Sequence, residues 1–241
     1  MNKLALSTLG LVSALTCASA GAASANIEAF DIATVQPGGP RAGSSGKAFF
    51  NIEGSSNGSF ASYGVARFDL TATKSAWDLE FGPGGWRIDN VTLGLTQSNA
   101  AFSGAGAVGV RHSNDDNVGI QPGSSPLRYA NLASDFADLA PLLDYNFAPI
   151  ATGSLESHVL YQRGAVNAAG AAQLLADLLS DTTLTLVLVD LDASVAATYA
   201  GATNFTLAGP SLALNVSAVP VPASLPLFGA ALGVAMLRRR R

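Results

Sequence analysis

The chain has 241 residues, 49% of them hydrophobic, and a formal net charge of −4. Its 17 acidic residues all lie between positions 28 and 192, where only eight of the 13 basic residues fall, so the central part carries about −9. Such a domain repels phosphate backbones, which excludes nucleic acid as the expected partner. The single cysteine, Cys17, lies in the apolar N-terminal stretch, so a mature domain has no disulfide framework, thiolate zinc site or cysteine nucleophile.

The first 25 residues read as a secretory signal peptide for the Sec machinery. Lys3 supplies the positive start, residues 4–20 are uncharged and apolar or small, and two A-x-A patterns follow, Ala18-Ser19-Ala20 and Ala23-Ser24-Ala25. Cleavage by signal peptidase is expected after Ala25, with Ala23 and Ala25 as the small residues of the site. Residues 26–218 then form one domain, large enough for a substantial core.

Period-two alternation marks that domain as mainly β. Residues 48–52 and 107–111 are candidate strands, and Phe60, Ala66, Phe68 and Leu70 share one parity. Val91, Leu93 and Leu95 alternate with Thr92, Gly94 and Thr96; Leu212, Leu214 and Val216 do the same with Ala213, Asn215 and Ser217. The β-branched, Leu-rich run 182–191 suits a strand buried on both faces. Gly- and Pro-rich turns separate these segments, as at Pro37-Gly38-Gly39-Pro40 and Gly82-Pro83-Gly84-Gly85. Two helices are expected: residues 167–179, N-capped by Asn167, and a weaker one at 131–139 before Pro141. The architecture is thus an antiparallel β-sandwich of jelly-roll type with one or two short helices.

Chemical candidates in this domain are sparse. Gly104-x-Gly106-x-x-Gly109 precedes a strand rather than a helix, so it reads as small-residue strand, not as a dinucleotide loop. Asp115 and Asp116, in the polar run 112–117, offer oxygens that suit calcium, although the run lacks the spacing of a calcium-binding loop and also suits a solvated turn. No other cofactor is expected. Two histidines, His112 and His158, and scattered carboxylates such as Glu53, Glu80 and Glu156 form no catalytic motif. Trp77, Trp86, Tyr63 and Tyr129 are read as core aromatics in preference to sugar platforms.

The last residues read VPVPASLPLFGAALGVAMLRRRR. Residues 219–241 combine a Pro motif (Val219, Pro220, Pro222 and Ala223), an apolar run at 225–237 and the cluster Arg238, Arg239, Arg240 and Arg241. The apolar run reaches about 20 Å as a helix, against a hydrocarbon core of about 30 Å, so it is a short transmembrane helix. The arginines would stay cytoplasmic, leaving the domain outside. This tail resembles the PEP-CTERM family of sorting signals, and closely its VPLPA variant, with Val221 where that variant usually has Leu. The resemblance implies recognition by an exosortase-type membrane transpeptidase, passage through the inner membrane of a Gram-negative bacterium, and release to the cell surface or extracellular matrix. Residues 49–70, 95–106 and the closing segment ATYAGATNFTLAGPSLAL are similar to uncharacterised jelly-roll-like ectodomains found ahead of such tails.

Two functions are compatible with these features. The first is a structural or adhesive protein of an exopolysaccharide or biofilm matrix, without catalytic residues. The second is a secreted polysaccharide hydrolase or lyase on a jelly-roll scaffold. A groove with two convergent carboxylates would favour the enzyme.

Overall fold

Alternating strands and Gly-rich turns give an antiparallel, mainly β domain in the computed structural model, which describes residues 21–220. In chain order the elements are β1 Ala22–Gln36, β2 Gly39–Pro40, α1 Ser44–Ala48, β3 Phe49–Glu53, β4 Tyr63–Asp69, α2 Thr71–Phe81, β5 Trp86–Thr96 and β6 Gly106–Ser113. There follow α3 Leu132–Asp135, β7 Ala140–Phe147, β8 Leu155–Gln162, α4 Ala171–Ser180, β9 Thr183–Asp190, β10 Ala196–Ala200 and β11 Ser211–Ala218. Short 3₁₀ turns lie at Ser55–Phe60, Ala100–Phe102 and Tyr129–Asn131.

The main sheet has the order β7-β6-β9-β4-β1-β11-β5-β8. Its organising strand is β1, whose 15 residues span roughly 50 Å, too far for one flat layer of so small a domain. β1 therefore changes partner along its length. Ala22 to Glu28 pair with β11, Ala29 to Val35 pair with β4, and the register shifts between Ala29 and Asp31. That irregularity turns the strand from one layer into the other, as bulges do. One layer is the first half of β1 with β11, β5 and β8; the other is its second half with β4, β9, β6 and β7.

The inner faces of both layers supply one core. Val91, Leu93, Leu95, Leu212, Leu214 and Val216 from the first layer meet Ala66, Phe68, Val108, Val110, Leu184, Leu186 and Leu188 from the second. The outer face of the second layer is buried as well. Ala33, Val35, Tyr63, Val65, Val187 and Val189 are covered by Ile120, Leu127 and Phe136 from the long connection between β6 and β7. The run around β9 is accordingly buried on both faces. The far edges β7 and β8 come together where the Tyr145 ring lies 4.0 Å from that of His158, so the sheet nearly closes on itself.

A two-stranded ribbon of β3 and β10 completes the domain. Phe50, Ile52, Ala197 and Tyr199 turn into the core, and Phe50 lies so close to Gly64 that a Cβ there would stand 2.5 Å from its ring. By alternation, Phe49, Asn51, Glu53, Ala196 and Thr198 turn the other way.

Three local expectations are corrected, and one helix is added. Phe60 is not on a strand face: it ends a 3₁₀ turn and is 58% exposed. The second helix runs Ala171–Ser180 from Gly170, and Asn167 does not cap it, because its amide is spent on Gln162 and Ala165. The 131–139 helix is four residues long, since Pro141 belongs to β7 and Ala140 already pairs with His112. Helix α2 was not anticipated: only Trp77 of its residues is buried, so it shows almost no apolar stripe.

Candidate functional site

The outward face of the β3–β10 ribbon is the floor of an open groove of about 440 Å³. This volume lies within the range of roughly 300–1,000 Å³ usual for ligand clefts. Asn51, Glu53, Ala196 and Thr198 lie on the floor, Arg41 and Phe49 at one end. The two walls are 3₁₀ turns. One carries Asn57 and Phe60, the other Asn99 and Phe102.

Both walls are tied down by side chains and backbone. Asn57 donates from Nδ2 to the carbonyls of Gly54 and Val195, and Gly54 and Ser56 donate their N–H groups to Val195 and Ala193. No Cβ fits at Gly54, where it would lie 2.2 Å from the Asp192 carbonyl oxygen, so glycine there lets the wall approach the 192–195 segment. Across the groove, Gln97 donates from Nε2 to the Thr198 carbonyl and to Ser103 Oγ, and Gly104 pairs with Ala196. These anchored walls nevertheless hold two large apolar rings in water: Phe60 is 58% exposed and Phe102 77%. Exposed aromatics that flank a polar floor mark a binding surface more than a folding requirement.

The floor is rich in acceptors. Asn51 donates from Nδ2 to Glu53 Oε1 at 2.9 Å, while its Oδ1 is buried with no hydrogen-bond partner. Burial pushes the Glu53 carboxyl above its ordinary value, opposed by the Asn51 amide and by Arg41. The Arg41 guanidinium itself lies 6.0 Å from the centre of the Phe49 ring.

A second cluster lies between β6, β9 and α4. Carboxylate oxygens of Asp116, Asp177 and Asp181 are within 4.8 Å of one another. Asp177 accepts from buried His112 Nε2 at 2.8 Å, and Asp116 accepts from Thr185 Oγ1. Among the described residues these three carboxylates are the group that could hold a cation. Asp115 is not of the set; its carboxylate caps the turn by accepting from the Asn117 N–H at 3.0 Å. Burial, and then the charges of Asp177 and Asp181, raise the Asp116 pKa; Thr185 and Arg67 act the other way. Lys74 is also close, donating to the Asp181 carbonyl at 2.5 Å.

A third cluster closes the sheet from inside. Tyr199 donates to Glu156 Oε2 at 3.0 Å, its hydroxyl meets that of Tyr145 at 2.9 Å, and His158 Nε2 lies 3.3 Å from the same carboxylate. Burial raises the pKa of both tyrosines, with the Glu156 charge adding to it.

The sequence-derived candidates distribute as follows. Trp77, Trp86 and Tyr63 are buried, and Tyr129 donates to Asp190 at 2.9 Å, so none of these four lines the groove. Gly106 and Gly109 are strand residues of β6. Ala23 and Ala25 lie in β1, opposite Val216 and Leu214. Val219 follows β11 directly, and its N–H donates to the Gly85 carbonyl at 2.8 Å. Pro222, Ala223, Arg238, Arg239, Arg240 and Arg241 lie outside the described residues, as do Ala18, Ser19 and Ala20. Among the described residues no helix is long and apolar enough to cross a membrane. Sequence reasoning missed Phe60 and Phe102. Their signal was a bulky aromatic inside SSNGSF and SNAAF, turn segments with no strand or helix face to bury it.

Comparison with protein-family models gives no match, and comparison with curated proteins gives none either.

Proposed function

We propose that this chain is an exported protein of the bacterial envelope or extracellular matrix, sorted by its C-terminal tail through an exosortase-type transpeptidase. It acts there by non-catalytic adhesion, and the β3–β10 groove is its binding face. The jelly-roll-like sandwich is the finer reading of the fold, supported by two layers that share β1. The observation that carries the reading is the pair Phe60 and Phe102, exposed on anchored walls above a polar floor. Glu53 is the one carboxylate among the lining residues, whereas hydrolysis by paired carboxylates needs a second one about 5–10 Å away. The ends of the domain also suit sorting. The Ala218 N–H donates to the Gly21 carbonyl at 2.9 Å, so the two ends of the described chain lie at one corner.

The test is retention of the purified domain on the matrix of the producing cells. Wild type should be retained, a Phe60→Ala/Phe102→Ala variant washed off, and no new reducing ends or unsaturated products should appear. Turnover that vanishes with Glu53→Gln would replace adhesion by catalysis. Replacing the four terminal arginines by Ser should abolish membrane retention and processing; processing like that of wild type would end the sorting reading.

A further inference from the structure

We infer that the groove binds an uncharged saccharide, whose hydroxyls donate to Asn51 Oδ1 and to the Glu53 carboxylate while its ring lies between Phe60 and Phe102. The inference rests on the reading of the groove as the binding face and adds the chemistry of the ligand.

Three observations carry it. Asn51 is 9% exposed, lines the groove, and leaves Oδ1 shut off from solvent without a partner, so a donor is missing there and a ligand hydroxyl meets Oδ1 once the amide turns toward the groove. A buried acceptor in that state destabilises the folded protein, and a ligand hydroxyl relieves this on binding. Its neighbour Glu53 is also an acceptor and is already held by the Asn51 amide, so two acceptor-bearing side chains lie together on the floor. A ligand that matches them carries adjacent donors, as a sugar edge does. The walls ask for the opposite character. Two exposed phenyl rings accept the C–H face of a pyranose, and neither offers a polar atom.

Charge then selects within saccharides. A uronate would place its carboxylate beside Glu53 in a domain of net negative charge, which is unfavourable. Arg41 does not reverse this, because it lies over Phe49 at the end of the groove and acts on Glu53, whose charge it helps to retain.

The experiment measures binding of the domain to uncharged glucans, mannans and galactans and to polyuronates, for wild type, Glu53→Gln, Arg41→Gln and Phe60→Ala/Phe102→Ala. The uncharged class should bind. Glu53→Gln should weaken it about tenfold, the loss of one charged hydrogen bond. The double Phe variant should abolish it. Polyuronate binding that Glu53→Gln strengthens and Arg41→Gln abolishes would overturn the inference while leaving the groove as the binding face. Retention on the cell matrix with no glycan of either class bound would overturn it too, and point to a protein partner. Glycan binding unaffected by the double Phe variant would overturn both readings.

Discussion

Ala25 lies directly opposite Leu214 in the antiparallel ladder between β1 and β11, four residues into the strand. Cleavage after Ala25 would therefore remove Ala22, Ala23, Ser24 and Ala25 from a ladder whose other members are Ser217, Val216, Asn215 and Leu214. The Ala18-Ser19-Ala20 pattern ends two residues before the strand begins and leaves it whole. We propose processing after Ala20, so N-terminal sequencing of the protein recovered from the producing cells is expected to start at Gly21. A domain starting at Asn26 should melt roughly 4–8 °C below one starting at Gly21, for a loss of about 2 kcal/mol in backbone bonds and in the packing of Ala23 and Ala25. Equal melting temperatures, with sequencing that starts at Asn26, would return the boundary to Ala25.

The two groove phenylalanines should separate binding from folding. Both are solvent-exposed and belong to neither core cluster, so Phe60→Ala and Phe102→Ala should each leave the melting temperature within about 2 °C. A fall of 5 °C or more at either position would show that the ring packs, and would weaken it as a ligand platform.

Asp116 should limit stability at neutral pH. Its pKa is raised in the folded state, so folding is favoured while the group is protonated, and that advantage is lost as pH rises from the unfolded value of 3.8 through the folded one. Asp116→Asn keeps an acceptor for Thr185 and removes the charge facing Asp177 and Asp181. The variant should melt roughly 2 °C above wild type at pH 7, and the gain should vanish toward pH 3, discounted for its partial exposure. A calcium-dependent rise in the wild-type melting temperature at millimolar concentration, absent from the variant, would instead identify the three carboxylates as an ion site.

The hydroxyls of Tyr145 and Tyr199 should be coupled. Tyr199→Phe leaves the Tyr145 hydroxyl without its 2.9 Å partner and removes a donor from Glu156. The expected cost is about 1–3 kcal/mol, a fall of roughly 2–12 °C on melting. In the Tyr145→Phe/Tyr199→Phe double variant the loss should be less than the sum of the single losses, because the second change removes the group left unpaired. Additive losses would mean that the two hydroxyls act independently.

Local pattern was enough for much of this domain. The alternation at Val91, Leu93 and Leu95, and at Leu212, Leu214 and Val216, assigns one face of each strand to the core, because side chains on a strand alternate whatever the fold. The β-branched, Leu-rich run of β9 signals burial on two faces for the same reason. The acidic centre, the lone cysteine in the apolar N-terminal stretch and the Pro-motif tail likewise belong to the sequence alone. Three things required the tertiary structure. That Ala22 to Ala25 are strand depends on β11, some 190 residues later, since a small-residue segment has no alternation of its own. Asp116, Asp177 and Asp181 meet only because β6 and α4 are folded against each other. The groove needs the register of β3 on β10, which sets Asn51 opposite Thr198, and two turns far apart in the chain, which bring Phe60 and Phe102 to its two sides. Periodicity reports which face of one element is buried; it carries no information about which distant element lies opposite, and sites are made by those pairings.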